Sequence, residues 1–168
     1  MWSAKLPLFG LVAQSITDGP GFRFTLFTQG CPHGCEGCHN PESWDRLGGT
    51  DYTLEEIVED FEKNSFVDGV TFSGGEPFLH PKELTFLARY FKEKGKNIIC
   101  YTGYLYEDLL QLKNPEVKEF LEEIDLLIDG PFILEKKDLS LSFRGSSNQR
   151  LLPLTEKGEA LLREIQDW

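Results

Sequence analysis

The sequence predicts an α/β fold built on a parallel sheet, and three observations predict it. Between residues 22 and 130, short runs of β-branched and aromatic residues alternate with segments of helical hydrophobic spacing. Each apolar run closes in a polar or glycine-rich turn, among them Gly74-Gly75-Glu76-Pro77, Thr102-Gly103-Tyr104 and Asp129-Gly130-Pro131. The turn after the first of these strands carries three cysteines, Cys31, Cys35 and Cys38. Parallel α/β folds place their active sites at the C-terminal ends of strands, so the loop sits where function is expected.

The elements follow in order. Residues 5–16 alternate loosely and suit an N-terminal hairpin or edge strand. Thr17-Asp18-Gly19-Pro20-Gly21 is a dense turn signal, feeding the strand-like Phe22–Phe27 run. Residues 39–52 read as loop, and Thr53-x-x-Glu56 as a capping box. Leu54, Ile57, Val58 and Phe61 then repeat at i, i+3, i+4 and i+7, an amphipathic helix. A short strand over 68–73 precedes a helix opening at Pro81, with Leu84, Leu87, Ala88 and Phe91 on one face. Gly95 ends that helix, and 97–101 is the next strand. Residues 106–123 are helical, broken at Asn114-Pro115, before a strand over 124–128. Past 131 the pattern loosens: Leu139, Leu141 and Phe143 alternate, then a polar turn runs from Arg144 to Arg150. Residues 155–168 suit a surface helix with Ala160, Leu161, Ile165 and Trp168 on one side.

Composition bounds the function classes. A chain of 168 residues, 40% hydrophobic with thirteen Phe, is expected to form one domain spanning 1–168 with a proper core. The net charge of −11 argues against a nucleic-acid surface, which needs clustered Lys and Arg. No stretch approaches membrane-spanning length, and no secretory leader is visible. Cytoplasm, where thiols stay reduced, is the expected compartment. Cys100 lies in the apolar run 98–101 and suits a buried, unreactive thiol.

The C-x3-C-x2-C spacing puts three soft ligands on one short loop. One reading is a [4Fe–4S] cubane with one iron lacking a protein ligand, and therefore open to chemistry. The other is a zinc knuckle completed by His33 or His39. The Gly74-Gly75-Glu76 turn reads as a tight strand-to-helix connection, or as backbone and carboxylate that together hold a zwitterion.

Together these motifs resemble radical S-adenosylmethionine enzymes: C-x3-C-x2-C after the first strand and GGE after the second. Asp18-Gly-Pro-Gly21-Phe-Arg and Cys38-His-Asn-Pro41 narrow the resemblance to glycyl-radical-enzyme activases. Tyr101-Thr-Gly-Tyr104, Leu127-Ile-Asp-Gly-Pro131 and the 143–150 stretch are similar to activases serving an anaerobic ribonucleoside-triphosphate reductase. The resemblance covers roughly residues 15–152; the remainder carries no recognisable motif. Many radical enzymes have an aromatic residue where this chain has Gly37.

The resemblance implies a partial, open (β/α) barrel of the radical S-adenosylmethionine type, smaller than an eight-fold barrel. It implies that Cys31, Cys35 and Cys38 hold a [4Fe–4S] cluster whose open iron binds the amine and carboxylate of S-adenosylmethionine. Reductive cleavage would yield a 5′-deoxyadenosyl radical that takes hydrogen from a glycine Cα of the reductase. It further implies that Glu76 and the backbone of Ser73, Gly74 and Gly75 grip the methionine end. Gly37 and His39 are placed near the adenine, Thr102 and Asp129 at neighbouring strand ends, and Asp18 facing the incoming glycine loop. A low-potential donor such as flavodoxin or ferredoxin would supply the electron. Plainer roles stand beside these: His39 as a loop residue, Asp129 as a turn former, Asp18 as a turn cap, His33 and His80 as structural or solvent-facing. Arg144 and Arg150 read either as exposed charges or as part of a loop that closes over the cofactor or docks the partner. Two other functions remain open, a small-molecule radical enzyme of the deazaguanine-forming type and a non-catalytic zinc-binding module.

Overall fold

Period-two alternation decides which side of the sheet each strand residue faces, and here it separates two unlike faces. The computed structural model describes residues 1–38, 41–45 and 47–166. Its strands are β1 (Lys5–Ser15), β2 (Arg23–Thr28), β3 (Thr50–Thr53), β4 (Gly69–Gly74), β5 (Asn97–Tyr101), β6 (Leu126–Asp129) and β7 (Arg150–Pro153). Its helices are α1 (Leu54–Glu62), α2 (Pro81–Glu93), α3 (Tyr106–Gln111), α4 (Pro115–Glu123) and α5 (Glu156–Gln166). The strands form one sheet in the order β3-β1-β2-β4-β5-β6-β7. β2, β4, β5 and β6 run parallel, as the strand–helix alternation predicts. β1 and β3 are antiparallel at one side and β7 at the other, so the sheet is mixed and open. The α/β class holds; strand order by itself does not make the sheet a barrel.

One face carries the main core. Phe24, Leu26, Val70, Phe72, Ile98, Cys100 and Leu127 point toward Ile57 and Phe61 of α1, Leu84 and Phe91 of α2, and Phe120 of α4. Each such side chain stabilises the fold by about 1.5–3 kcal/mol when fully buried. The capping box forms as written: the Thr53 hydroxyl accepts from the Glu56 amide, and the Glu56 carboxylate accepts from the Thr53 amide. Asn114 caps α4 in the same way, its side chain accepting from the Glu116 amide.

The opposite face is covered differently. Ile99, Leu126 and Ile128 pack against Leu161 and Ile165 of α5, with Tyr101, Phe143 and Leu151 alongside. Nearer β2 this face is polar, with Arg23, Thr25 and Thr71 all buried. The Arg23 guanidinium donates to Thr71 Oγ1 at 2.7 Å, the Val70 carbonyl at 2.9 Å and, at 3.4 Å, the Pro20 carbonyl. Thr71 Oγ1 passes its own hydrogen to the Asp18 carbonyl at 2.9 Å. This relay lays the 17–21 turn across the face and aims Asp18 at the strand ends. Burial lowers the Arg23 pKa to about 10, so the group keeps its charge at neutral pH.

Several sequence expectations change. β1 is not an edge, because residues 50–52, read as loop, join the capping Thr53 to form β3 and pair with Lys5–Leu8. β7 was not anticipated; only four residues long, it takes its place by pairing with β6. The alternating Leu139, Leu141 and Phe143 form no strand, and Leu139 is 86% exposed. α5 turns Gly158, Leu161 and Ile165 inward and leaves Ala160 exposed, because Gly158 is where the helix meets the backbone of Asp125, just before β6, and of Pro153 in β7. Trp168 lies outside the described residues.

Candidate active site

A cavity of about 820 Å³ opens where β2, β4, β5 and β6 end. The loop after β2 contributes Cys31, His33, Cys35 and Cys38; the end of β4 contributes Ser73, Gly74 and Gly75. Thr102 and Gly103 enter after β5, Gly130 and Phe132 after β6, and Thr17 and Asp18 from the β1–β2 turn. Arg144 and Gln149 close it from the 131–149 segment. The volume suits a small-molecule ligand.

The glycines after β4 have a backbone reason. Gly74 holds φ +106°, and a Cβ there would lie 2.2 Å from the Thr28 nitrogen; at Gly75 a Cβ would lie 2.3 Å from the Gly30 carbonyl oxygen. The two strand ends touch main chain to main chain. Gly75 donates to the Thr28 carbonyl at 2.8 Å and Glu76 to the Gly30 carbonyl at 2.7 Å. On its other side the cysteine loop is pinned by the Cys31 amide on the Trp44 carbonyl at 3.1 Å. The GG pair therefore seats the cysteine loop against the β4 turn.

The three loop cysteines are half-buried, and none of the four cysteines forms a disulfide. Burial pushes the Cys31 thiol up to about 11, helped by the negative charge of Glu76 and opposed by the His33 amide. Cys35 is raised for the same first reason. Thiols held in this way must give up protons to bind a metal. Among the described residues, no three His, Cys, Asp or Glu side chains stand close enough to share one metal ion. A cubane asks for a wider arrangement, because each thiolate ligates a different iron. Three soft donors lining one cavity fit such a cluster. Cys100 is fully buried in β5, its pKa driven well up by desolvation, and takes no part.

The other expected site residues divide. Ser73, Gly74, Gly75, Thr102 and Asp18 line the cavity. The Asp18 carboxylate accepts from the Ser15 hydroxyl, its hydrogen-bond donor among the described residues. Glu76 is fully buried and does not line the cavity; its carboxylate is filled by donors of the chain itself. Oε1 accepts from His33 Nε2 at 2.6 Å and the Gly103 amide at 2.8 Å, Oε2 from Thr102 Oγ1 at 2.9 Å and the Phe78 amide at 3.0 Å. Asp129 is equally buried and off the cavity, bound by Arg150 Nε at 2.9 Å and the Tyr106 amide at 2.8 Å. Gly37 also stands off the cavity; a Cβ there would lie 2.8 Å from Leu134 and 3.3 Å from Phe132. His39 lies outside the described residues. His80 is structural, its ring 2.9 Å from the Gln29 carbonyl.

The sequence singled out neither Phe132 nor Gln149, and it did not pair His33 with Glu76. Phe132 follows the Gly130-Pro131 turn at the end of β6, and that position was the available signal. Gln149 lay within the 143–150 stretch of the resemblance without being singled out; it enters the cavity because Arg150 begins β7 beside Asp129.

Residues 17–152 match the family model described as a 4Fe-4S single cluster domain. The anaerobic ribonucleoside-triphosphate reductase-activating protein of Haemophilus influenzae is 39% identical over 143 residues, 80% of this chain and 89% of that protein. Its namesake from Escherichia coli K12 is 36% identical over 143 residues, covering 80% and 90%. That of Enterobacteria phage T4 is 36% identical over 148 residues, covering 83% and 88%. The chain belongs to this family of activating proteins and carries its 4Fe-4S domain. The crystal structure of QueE from Escherichia coli aligns with 59% of this chain and 52% of that one at 19% identity, with a TM-score of 0.49. Among the described residues, no helix is long and apolar enough to cross a membrane.

Proposed function

We propose that this chain activates an anaerobic ribonucleoside-triphosphate reductase as a radical S-adenosylmethionine enzyme, in the cytoplasm and with an electron from a low-potential flavodoxin or ferredoxin. The observation that carries the reading is the convergence of four parallel strand ends on one cavity lined by Cys31, Cys35 and Cys38. Bound there, a [4Fe–4S] cluster supplies the single electron that splits the sulfonium C–S bond, and with it the means to take hydrogen from a glycine Cα.

The chain's own residues bind and orient. The three cysteines provide thiolates from one side of the cavity. The backbone of Ser73, Gly74 and Gly75, held by β2 contacts, offers polar groups to the methionine end. Phe132 and Phe143 present apolar surface, which limits water beside the reacting atoms. Asp18 stands at the cavity on the Arg23–Thr71 relay, placed to accept amide hydrogens from an entering peptide. Because the sheet is open, a loop of another protein has a side from which to approach. Close approach of the glycine Cα is what the reaction requires of the protein.

The test is electron paramagnetic resonance on the anaerobically reconstituted protein mixed with the reductase, S-adenosylmethionine and a reductant. A glycyl-radical signal on the reductase, dependent on every component, is the expected result. A protein with full iron and sulfide content that yields no such signal overturns the reading.

A further inference from the structure

His33 lies midway between Cys31 and Cys35, and its imidazole points inward. Nε2 stands 2.6 Å from Glu76 Oε1, and the ring meets Tyr104 edge-on at 4.6 Å between centroids. Its slot exists because residue 103 has no side chain: a Cβ on Gly103 would lie 2.5 Å from His33 Cδ2 and 2.7 Å from Nε2. Gly103 has no positive φ, so its absent side chain serves the ring and not the backbone. The carboxylate receiving the imidazole also holds the Thr102 hydroxyl and the Gly103 and Phe78 amides, which fills its four acceptor sites. Glu76 thus joins the turns after β4 and β5, and His33 joins the cysteine loop to both.

We propose that His33 and Glu76 form a strut that fixes the stretch between Cys31 and Cys35 for cluster binding, Glu76 acting as a positioning residue and not as a direct partner of the methionine ammonium. The inference rests on the cluster reading above and deepens it. Before Cys31 the loop is pinned by backbone bonds to Gly75 and Glu76, just after β4, and to residues 43–44. Beyond Cys31 the imidazole reaches back to the body of the protein. Without it, the Cys31 and Cys35 thiols keep their identity and lose their fixed separation. Preorganisation of this kind governs how firmly a multidentate ligand set holds its group.

The experiment compares wild type with His33→Ala, His33→Gln, Gly103→Ala, Glu76→Ala and the double variant His33→Ala/Glu76→Ala. Two rates are followed: iron release to a chelator from reconstituted protein, and alkylation of Cys31 and Cys35 in iron-free protein. Loss of one charge-assisted hydrogen bond predicts about tenfold to a hundredfold faster iron release in His33→Ala. Gly103→Ala, which evicts the ring while leaving both partners in place, should behave alike, and His33→Gln should recover most of the loss. Alkylation should quicken in the same variants. Adding His33→Ala to Glu76→Ala should cost little further, because the bond is already gone. Wild-type rates in both His33→Ala and Gly103→Ala overturn the strut, as does full additivity in the double variant. If the wild type holds no iron, the cluster reading fails on its own, and the alkylation rates still decide whether the strut orders the loop.

Discussion

Replacing Gly158 with alanine should destabilise this protein, against the usual expectation for a helix. In an exposed helix interior the change gains about 1 kcal/mol, because alanine has less backbone freedom to lose. Here the added methyl would lie 1.8 Å from the Asp125 carbonyl oxygen, 2.7 Å from its carbon and 3.2 Å from Pro153 Cα. All three are main-chain atoms, and the same carbonyl already accepts from the Leu154 amide at 2.8 Å. An ordinary carbon–oxygen contact is about 3.3–3.6 Å, so α5 must retreat by roughly 1.5 Å. That retreat loosens Leu161 and Ile165, each nearly buried against Ile99, Leu126 and Ile128. Overpacking costs about 1–3 kcal/mol and more where backbone cannot yield. Set against the helix gain, a net loss of about 2 kcal/mol is expected, or roughly 4–8 °C in Tm for a chain of this size. Thermal unfolding followed by circular dichroism under anaerobic conditions measures it, with the exposed Glu159→Ala as the control that stays near wild type. A Gly158→Ala protein melting at or above the wild-type temperature would refute the close contact between α5 and the backbone of Asp125 and Pro153.

Other substitutions test the site and its supports. Cys31→Ala, Cys35→Ala or Cys38→Ala should each abolish cluster retention in iron and sulfide assays, whereas Cys100→Ala should hold a full complement and lose only the small stability of a buried thiol. Asp18→Asn should keep cluster content and S-adenosylmethionine binding but lower the glycyl-radical yield on the reductase; an undiminished yield would remove Asp18 from docking. Arg150→Met should cost about 1–3 kcal/mol in urea unfolding, because it leaves the buried Asp129 carboxylate short of a donor. Glu107→Ala, removing the exposed partner of the same arginine, should cost clearly less; equal losses would show that Asp129 does not depend on Arg150.

What the sequence determined by itself was local. The capping box at Thr53, the α1 and α2 stripes and the parallel core of β2, β4, β5 and β6 were legible because hydrophobic period and turn chemistry act over a few residues. The three cysteines were legible for the same reason, their spacing being fixed along the chain. Tertiary structure decided whatever depends on partners distant in sequence. β3 and β7 are four-residue strands with weak patterns of their own, made strands by β1 and β6 offering paired edges. The inward face of α5 was set by Gly158 meeting the Asp125 carbonyl, not by the line of larger apolar residues. Glu76 and Asp129 read from sequence as ligand-facing carboxylates at strand ends. A carboxylate turns toward whichever donors the fold brings nearest, and here those were His33, Thr102 and the Gly103 amide for Glu76, and Arg150 for Asp129.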